Sequence, residues 1–487
     1  MEKILSFFKV KERGSSLKTE VMAGVTTFLT MAYIIALNPN LLTNFGALGD
    51  PIEAALHGQA LWNAVFLATV LSAGIATILM GLLANMPFAL APGMGLNSYF
   101  ATVVAGIAPM VGGYVAGFKV GLSIIFVEGV VFLVLSLFKV REKIVEAIPH
   151  GVRLGISAGI GMMLVNIGLG SNAGIYVGKD GPFYMLATFF TEGPSKTLTM
   201  MGEAGYKQMI AYVLTMLIGV LLIAVLSHKN VKGAILLGML GSSVFYWILC
   251  FAMLGTNPFE ALATASWLPP FADMVDNTLF GFVDGFTNLF KMGVFTAIMT
   301  IVTFCMVDMF DTIGTLYGTC KAADMLDEND NVPQMTECLL TDAIGTCIGA
   351  CTGTSTVTTF VESAAGVKEG GRTGLASVVT GLLFLACMFI SPIAAIIPAP
   401  ATSAALIFVG SLMINSLREV DYSDSANTVP VIMMLIFMPI SSSIGGGIGI
   451  GLIMHSLIKI LRGEWKDVSI VTMILSVLFL CKFFIVF

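Results

Sequence analysis

The chain has 487 residues, of which 57% are hydrophobic and only 11% are charged, with a formal net charge of −6 and a mean hydropathy of +0.93. A soluble domain carries roughly 25% charged residues, so the composition excludes a soluble enzyme and indicates a protein that crosses the membrane many times. The apolar runs are continuous, which excludes a membrane β-barrel. The sequence contains no basic patch of the kind that binds nucleic acid. The eight cysteines have neither metal-ligand nor disulfide spacing.

In chain order, apolar runs of about 20 residues, each long enough to cross a bilayer core, predict about fourteen transmembrane segments of an all-α polytopic membrane protein. They lie near residues 21–37, 61–83, 88–105, 112–138, 152–170, 209–227, 233–254, 293–319, 336–352, 356–367, 373–397, 401–415, 428–442 and 444–461. A last apolar stretch at 468–487 is nearly of spanning length, and we expect it to lie along the membrane interface or to re-enter. If 428–461 is instead one long broken helix, the last stretch becomes the fourteenth span.

Basic residues orient the spans, because Lys and Arg concentrate on the cytoplasmic side of membrane proteins. Residues 1–20 lack the apolar run and cleavage site of a signal peptide, so they are predicted to form a basic cytoplasmic leader. The loops 38–60 and 255–290 contain acids but no Lys or Arg and are predicted to lie outside. The residues that mark cytoplasmic loops are Lys3, Lys9, Lys11, Arg13, Lys18, Lys139, Arg141, Lys143, Arg153, Lys229, Lys232, Lys459, Arg462 and Lys466.

The third and tenth segments differ from plain spanning helices. Residues 89–97 (ALAPGMGLN) place a proline and two glycines in an apolar region, and residues 354–362 (TSTVTTFVE) form a β-branched run that favours extended chain. Non-helical backbone at membrane depth is tolerated where it is buried in protein or lines a cavity. We expect short strands at 87–92 and 354–359 that pair with each other, each followed by a half-helix whose N-terminus faces a cavity.

Matching features suggest that the chain is an inverted repeat. Pro149 and Gly161 of the fifth segment recur with the same spacing as Pro398 and Gly410 of the twelfth. Seven spans in each half would give the two repeats opposite orientations. Interrupted segments in corresponding positions of two halves are the best sequence indication of a transporter's midplane site.

The eighth span carries two carboxylates in an apolar, membrane-length run. Asp308 and Asp311 are three residues apart and share a helix face, which Phe304 continues. An aspartate near the bilayer centre costs roughly 2.5–3.5 kcal/mol on insertion scales, so we expect the pair to face a cavity. The alternative is that the pair lies at a helix end and reaches water. Asn97 and Glu362 begin the two half-helices and are predicted to join the same site.

The predicted site favours a flat, neutral heterocycle with N–H donors as its ligand. It offers carboxylates, an amide, the hydroxyls of Thr27, Thr354 and Thr359, and the rings of Phe28, Tyr33, Phe304 and Phe360. The segments of the site contain no Lys or Arg. The absence of a cation in these segments argues against an anionic substrate. Asn97 could instead satisfy the backbone of the broken helix. Glu362 could bond the half-helix N-terminus, a role that does not exclude ligand binding.

Proton coupling is predicted for the same carboxylates. A carboxylate withdrawn from water takes up a proton more readily, so Asp311, Asp308 and Glu362 are the candidates. No cofactor is expected, and the proton is the predicted coupling ion. No phosphate-binding glycine motif that ends in Lys-Ser/Thr appears, which argues against ATP-driven pumping. An intramembrane aspartyl protease needs its two aspartates on facing segments, so the protein is not predicted to be an enzyme.

Several motifs resemble the AzgA-like purine permeases, a branch of the nucleobase–ascorbate transporters. They are TTFLTMAY at 26–33, APGMGLN at 91–97, FDTIGT at 310–315, GTSTVTTFVES at 353–363 and GGRTGL at 370–375. The resemblance runs from about residue 5 to the C-terminal region. The family's key polar positions match Asn97, Asp308, Asp311 and Glu362.

The resemblance implies two inverted seven-helix repeats and two domains. The expected ranges are a leader at 1–20, a core domain at 21–138 and 291–397, a gate domain at 139–290 and 398–461, and an apolar tail at 462–487. It also implies proton symport of adenine, guanine or hypoxanthine into the cell across the cytoplasmic membrane, with the core moving against the gate, often as a homodimer. Uracil or xanthine uptake by the same fold and a channel-like facilitator stay open as alternatives.

Overall fold

A computed structural model describes residues 2–44, 51–138, 147–170, 193–260, 262, 265–322, 325–327, 331–441 and 443–484. Lys139, Arg141 and Lys143, which help to orient the spans, lie outside the described residues. Helices make up most of the described chain, and eleven of them are long and apolar enough to cross a membrane. The protein is therefore a multi-pass membrane protein.

The chain forms two compact units, each built from separated stretches of sequence. Unit one comprises Met1–Pro149, Leu268–Ser391 and Lys459–Phe487, and unit two comprises His150–Trp267 and Pro392–Ile458. Residues 268–290, which the sequence places in the gate domain, belong to unit one. They are also not a plain loop, because they contain two short helices.

Unit one contains most of the helices and the two strands. Its elements are α1 (Glu2–Phe7), α2 (Leu17–Met31), α3 (Ile34–Asn44), α4 (Pro51–Leu79) with a π-helical turn at Met80–Ala84, β1 (Leu90–Pro92), α5 (Met94–Val111) and α6 (Tyr114–Leu137). Unit one resumes at Leu268. Its next elements are α10 (Phe271–Asn277), α11 (Gly281–Phe286), a 3-10 turn at Leu289–Met292, α12 (Val294–Ala322), α13 (Met335–Thr352), β2 (Val357–Thr359), α14 (Ser363–Lys368), α15 (Gly374–Ala386) and a 3-10 turn at Cys387–Ile390. A 3-10 turn at Trp465–Asp467 and α20 (Ile470–Phe484) complete it.

Unit two consists of helices alone in the described residues. They are α7 (His150–Gly168), α8 (Gly193–His228, broken at Gly202), α9 (Ala234–Leu249) with a π-helical turn at Cys250–Leu254, α16 (Ser391–Ala395), α17 (Ala399–Ile414), a 3-10 turn at Asn415–Glu419, α18 (Ser425–Ser441) and α19 (Ile444–Leu461). The boundary between the units falls within two of these helices: Ser391 of α16 and residues 459–461 of α19 are counted with unit one.

The first span is broken in the middle, which the sequence does not predict. The helical hydrogen bonds change at Ala32, whose carbonyl accepts from the Ile35 N–H at 3.2 Å in a tighter i→i−3 bond. The Thr30 hydroxyl, two residues earlier, donates to the Thr27 carbonyl at 2.8 Å, a contact that often bends helices. Tyr33 lies at this break and is fully buried.

The C-terminal stretch forms a helix of its own. α18 and α19 are separate helices, and α20 follows them with 15 residues. α20 packs within unit one, where the Thr472 hydroxyl donates to the Ala147 carbonyl at 3.0 Å and Phe479 is fully buried.

Candidate functional site

The candidate site is organised around two short strands that cross inside unit one. β1 and β2 pair with each other, as the sequence predicts, although each strand has only three residues. The pairing is antiparallel, with Leu90 opposite Thr359. The Gly93 N–H donates to the Thr356 carbonyl at 3.1 Å, and the Phe360 N–H donates to the Ala89 carbonyl at 3.0 Å. The two broken segments therefore satisfy each other's backbone groups, as buried extended chain must.

Hydroxyls of residues 354–358 fix this crossing to four different helices. The contacts are Asn38 Nδ2 of α3 to Thr354 Oγ1 at 2.9 Å, the Ser355 hydroxyl to Asn97 Oδ1 of α5, the Thr356 hydroxyl to Glu128 Oε2 of α6 at 2.7 Å, and Thr358 Oγ1 with Thr312 Oγ1 of α12 at 2.6 Å. All eight residues are buried. The β-branched run is thus an anchored element rather than a free strand.

Asn97 links the two broken segments. Its side-chain amide donates to the Pro92 carbonyl at 3.2 Å, while its amide oxygen accepts from the Ser355 hydroxyl. Asn97 is fully buried. In this conformation both polar ends of its side chain hold the crossing together.

Asp308 belongs to a buried polar cluster. The Thr312 hydroxyl lies 3.2 Å from Asp308 Oδ1 and 3.0 Å from Asp342 Oδ1 of α13, and both carboxylates are fully buried. Asp342 is not among the predicted site residues. An acid inside the apolar run 338–351 is the signal that points to it.

Asp311 has different surroundings from Asp308, although the two share α12. Its side chain is half-buried, and its Oδ2 lies 3.5 Å from the point where a Cβ on Gly93 would stand. Asp311 therefore lies beside the start of α5, where free N–H groups and the positive end of the helix dipole favour a carboxylate. Two other acids lie within electrostatic reach of Asp311, first Asp342 and then Glu362.

Glu362 stands at the start of α14 and is held by a tyrosine. The Tyr33 hydroxyl donates to Glu362 Oε1 at 2.7 Å, and the Thr30 hydroxyl lies 3.4 Å from the Glu362 carbonyl. Glu362 is half-buried, whereas Tyr33 is fully buried. The sequence predicts Tyr33 only as a ring face of the site; its hydrogen bond to Glu362 is the contact that sequence reasoning misses.

The remaining predicted residues take two kinds of position. Phe360 directly follows β2 and is buried; Phe304 is also buried, with its ring centroid 4.5 Å from that of Tyr99. Thr27 of α2 packs against α14, since a Cβ on Gly366 would lie 2.1 Å from the Thr27 hydroxyl oxygen. Thr27 thus contacts the helix that carries Glu362 rather than its carboxylate.

The described residues contain no group of three or more His, Cys, Asp or Glu side chains that could hold a metal ion. The chemistry on offer is hydrogen bonding by carboxylates and hydroxyls, together with ring stacking.

The arrangement of membrane helices around the paired strands is a fold known from membrane transporters. The structure is similar to the transmembrane domain of the cyanobacterium bicarbonate transporter BicA, with a TM-score of 0.59 over 88% of this chain and 97% of that chain. The two sequences are 14% identical, so this likeness shows the fold alone.

The sequence comparisons show the family. The family model described as Permease family matches residues 18–450, and the chain belongs to this family. It is 37% identical to the adenine permease AdeP of Escherichia coli K12, over 98% of this chain and 94% of that protein. It is 33% identical to the guanine/hypoxanthine permease PbuO of Bacillus subtilis 168, over 98% of this chain and 100% of that protein. The resemblance to purine permeases is therefore confirmed, and these relatives are transporters rather than enzymes.

Proposed function

We propose that the protein is a proton-coupled symporter that imports purine nucleobases (adenine, guanine or hypoxanthine) across the cytoplasmic membrane. The observation that carries this proposal is its similarity, over nearly the full chain, to permeases named for these purines. The strand crossing with its acidic side chains gives the proposal a site.

The purine binds beside the crossing strands in this proposal. Glu362 is half-buried at the start of α14, so its carboxylate can accept a hydrogen bond from a purine N–H group. Asp308 is the second carboxylate assigned to the purine. Phe360 and Phe304 supply ring faces on which the purine can stack. Stacked aromatic rings prefer to lie offset from each other. Asn97 and Thr27 complete the predicted set, Asn97 by holding the crossing and Thr27 by packing against α14.

Proton coupling falls to Asp308, Asp311 and Glu362. Buried acids that lie near one another cannot all be ionised without a large electrostatic cost. Asp308 shares the Thr312 hydroxyl with Asp342, and Asp311 lies within electrostatic reach of Glu362. A proton that enters with the purine and leaves inside the cell would relieve this cost during the transport cycle.

The architecture we propose has fourteen segments in two inverted repeats. Unit one corresponds to the core domain and unit two to the gate domain, with residues 268–290 reassigned to the core. The basic leader supports a cytoplasmic N-terminus. We also propose a homodimer in the lipid bilayer, as the family resemblance implies.

The test is uptake of radiolabelled hypoxanthine into cells that lack their own purine permeases. Adenine, guanine, xanthine and uracil are added in turn as competitors, with and without a protonophore. We expect purines to compete and the protonophore to abolish uptake. Competition by uracil or xanthine alone would favour the alternative substrates, and uptake that ignores the protonophore would favour a facilitator.

A further inference from the structure

We infer that Tyr33 is a positioning residue of the purine site, which fixes one carboxylate oxygen of Glu362 so that the other is presented to a purine N–H. This inference rests on the proposed function, because it concerns how the same site prepares itself for substrate. Tyr33 acts through Glu362.

One oxygen of the Glu362 carboxylate is held by Tyr33. Oε1 accepts from the Tyr33 hydroxyl at 2.7 Å. An ionised carboxylate is an acceptor only, whereas a tyrosine hydroxyl can donate, so the direction of this bond is defined when Glu362 is ionised. Hydrogen bonds to a charged acceptor are shorter and stronger than neutral ones.

Tyr33 is itself held in place. Its side chain is fully buried, and its backbone carbonyl accepts from the Leu37 N–H at 3.0 Å, in the first turn of α3. Glu362, by contrast, is half-buried and precedes a helix of only six residues. The more deeply buried partner therefore orients the less buried one.

Preorganisation gives this contact its functional effect. A free glutamate side chain loses rotamer entropy when a ligand immobilises it, and that loss weakens binding. With Oε1 already bonded to Tyr33, part of this cost falls on folding rather than on substrate binding. The break of the first span brings Tyr33 to this position, so it gives the interrupted helix a role in substrate binding.

The test is Tyr33→Phe, assayed by the uptake of hypoxanthine or adenine, whichever the wild-type protein transports. We expect KM to rise about tenfold, equivalent to ~1.4 kcal/mol, while the maximal rate per inserted molecule changes less than about twofold. Tyr114→Phe is the matched control, since its hydroxyl is also buried in unit one and donates to the Leu42 carbonyl at 2.5 Å. An unchanged KM in Tyr33→Phe, or an equal rise in the control, overturns the inference.

A double-mutant cycle separates positioning from general damage. Binding is measured with purified protein as the rise in Tm on adding the same purine, in wild-type and Glu362→Asp backgrounds. Aspartate keeps the negative charge, but its shorter side chain draws the carboxylate back from the Tyr33 hydroxyl. We expect Tyr33→Phe to weaken binding in the first background and to have little further effect in the second. Equal losses in both backgrounds overturn the inference. Absence of nucleobase uptake by the wild-type protein overturns the proposed function and the inference together.

Discussion

Asp308 and Asp311 lie three residues apart on α12, yet their carboxylates meet different partners. Asp308 is fully buried against Thr312, which also contacts Asp342 of α13. Asp311 is half-buried beside Gly93 at the start of α5. One acid is thus built into the interior of unit one, and the other stands at its strand crossing, so their substitution should have different consequences.

Asp308→Asn and Glu362→Gln are each expected to abolish purine uptake while leaving membrane insertion normal. Asparagine and glutamine keep the size of the side chain but lose the negative charge that accepts a purine N–H or a proton. Uptake and the amount of protein in the membrane are measured for each variant. Asp276→Asn is the control, because Asp276 is exposed on α10. Normal uptake in both site variants would remove this site assignment.

Asp311→Asn is expected to have a milder effect, with purine binding kept and transport slowed. The reason is that Asp311 is assigned to proton coupling, whereas Glu362 contacts the purine. Binding is followed by the rise in Tm with purine, and transport by initial uptake rate. Loss of binding in Asp311→Asn, with binding kept in Asp308→Asn, would reverse the two roles.

The sequence predicts which residues are unusual but not which residues meet. Acids in apolar spans can be recognised from hydropathy alone, and Asp308, Asp311 and Glu362 are found in this way. The bond between Tyr33 and Glu362 joins residues that are 329 positions apart. Such pairs depend on how distant helices cross, and no local pattern encodes that.

At the scale of elements, the two broken segments are predicted well because their composition is local. Proline and glycine interrupt the third segment, and β-branched residues extend the tenth. The register of Leu90 with Thr359 is not local. It follows from hydroxyl contacts with four helices, and these form only when unit one is assembled.

The leader is more structured than its basic composition suggests. The Arg13 guanidinium donates to the Asn85 carbonyl at 2.7 Å and to the Arg372 carbonyl at 3.0 Å. Phe8 and Val10 are buried with Leu375 at the start of α15. The leader therefore fastens the end of α4 to the turn that follows α14, the helix that begins after Glu362.

Arg13→Ala is expected to lower the stability of the purified protein by about 1–3 kcal/mol, because it leaves two backbone carbonyls without their donor. Arg13→Lys should recover only part of this loss, since an ammonium lacks the planar fork of a guanidinium. Thermal unfolding in detergent gives the order of the three proteins. Lys11→Ala, at an exposed position, is the control. Equal Tm values for all variants would show that the contacts of Arg13 do not stabilise unit one.

At the scale of the whole molecule, one pair of glycines bears on the proposed repeat. Gly161 of α7 and Gly410 of α17 occupy corresponding positions in the proposed repeats, and the structure brings them together within unit two. A Cβ on Gly161 would lie 2.6 Å from the Gly410 carbonyl oxygen, and a Cβ on Gly410 would lie 2.5 Å from the Gly161 carbonyl oxygen. A reciprocal contact of this kind is what two-fold related helices produce.

The antiparallel pairing of β1 with β2 supports the same interpretation in unit one. Residues 268–290, which the sequence assigns to the gate domain, lie in unit one. Phe282 of this segment stacks on Phe126 of α6 with ring centroids 4.1 Å apart. The Ser123 hydroxyl also donates to the Phe282 carbonyl at 2.7 Å. The segment is held in unit one by aromatic packing on a helix that is distant in sequence. Such packing leaves no periodic pattern in the sequence.

The glycine contact leads to a symmetric prediction for unit two. Gly161→Ala and Gly410→Ala should each destabilise the protein, by about 1–3 kcal/mol as for other overpacked interiors, because backbone oxygen rather than a flexible side chain stands in the way. The two losses should be similar, since each new methyl group meets the carbonyl of the same partner. Gly318→Ala is the control: its Cβ would meet nothing within 4 Å on α12, and alanine favours a helix over glycine. Thermal unfolding compares the three variants. If only one of the first two is destabilised, the helices do not meet reciprocally, and the repeat loses its clearest support.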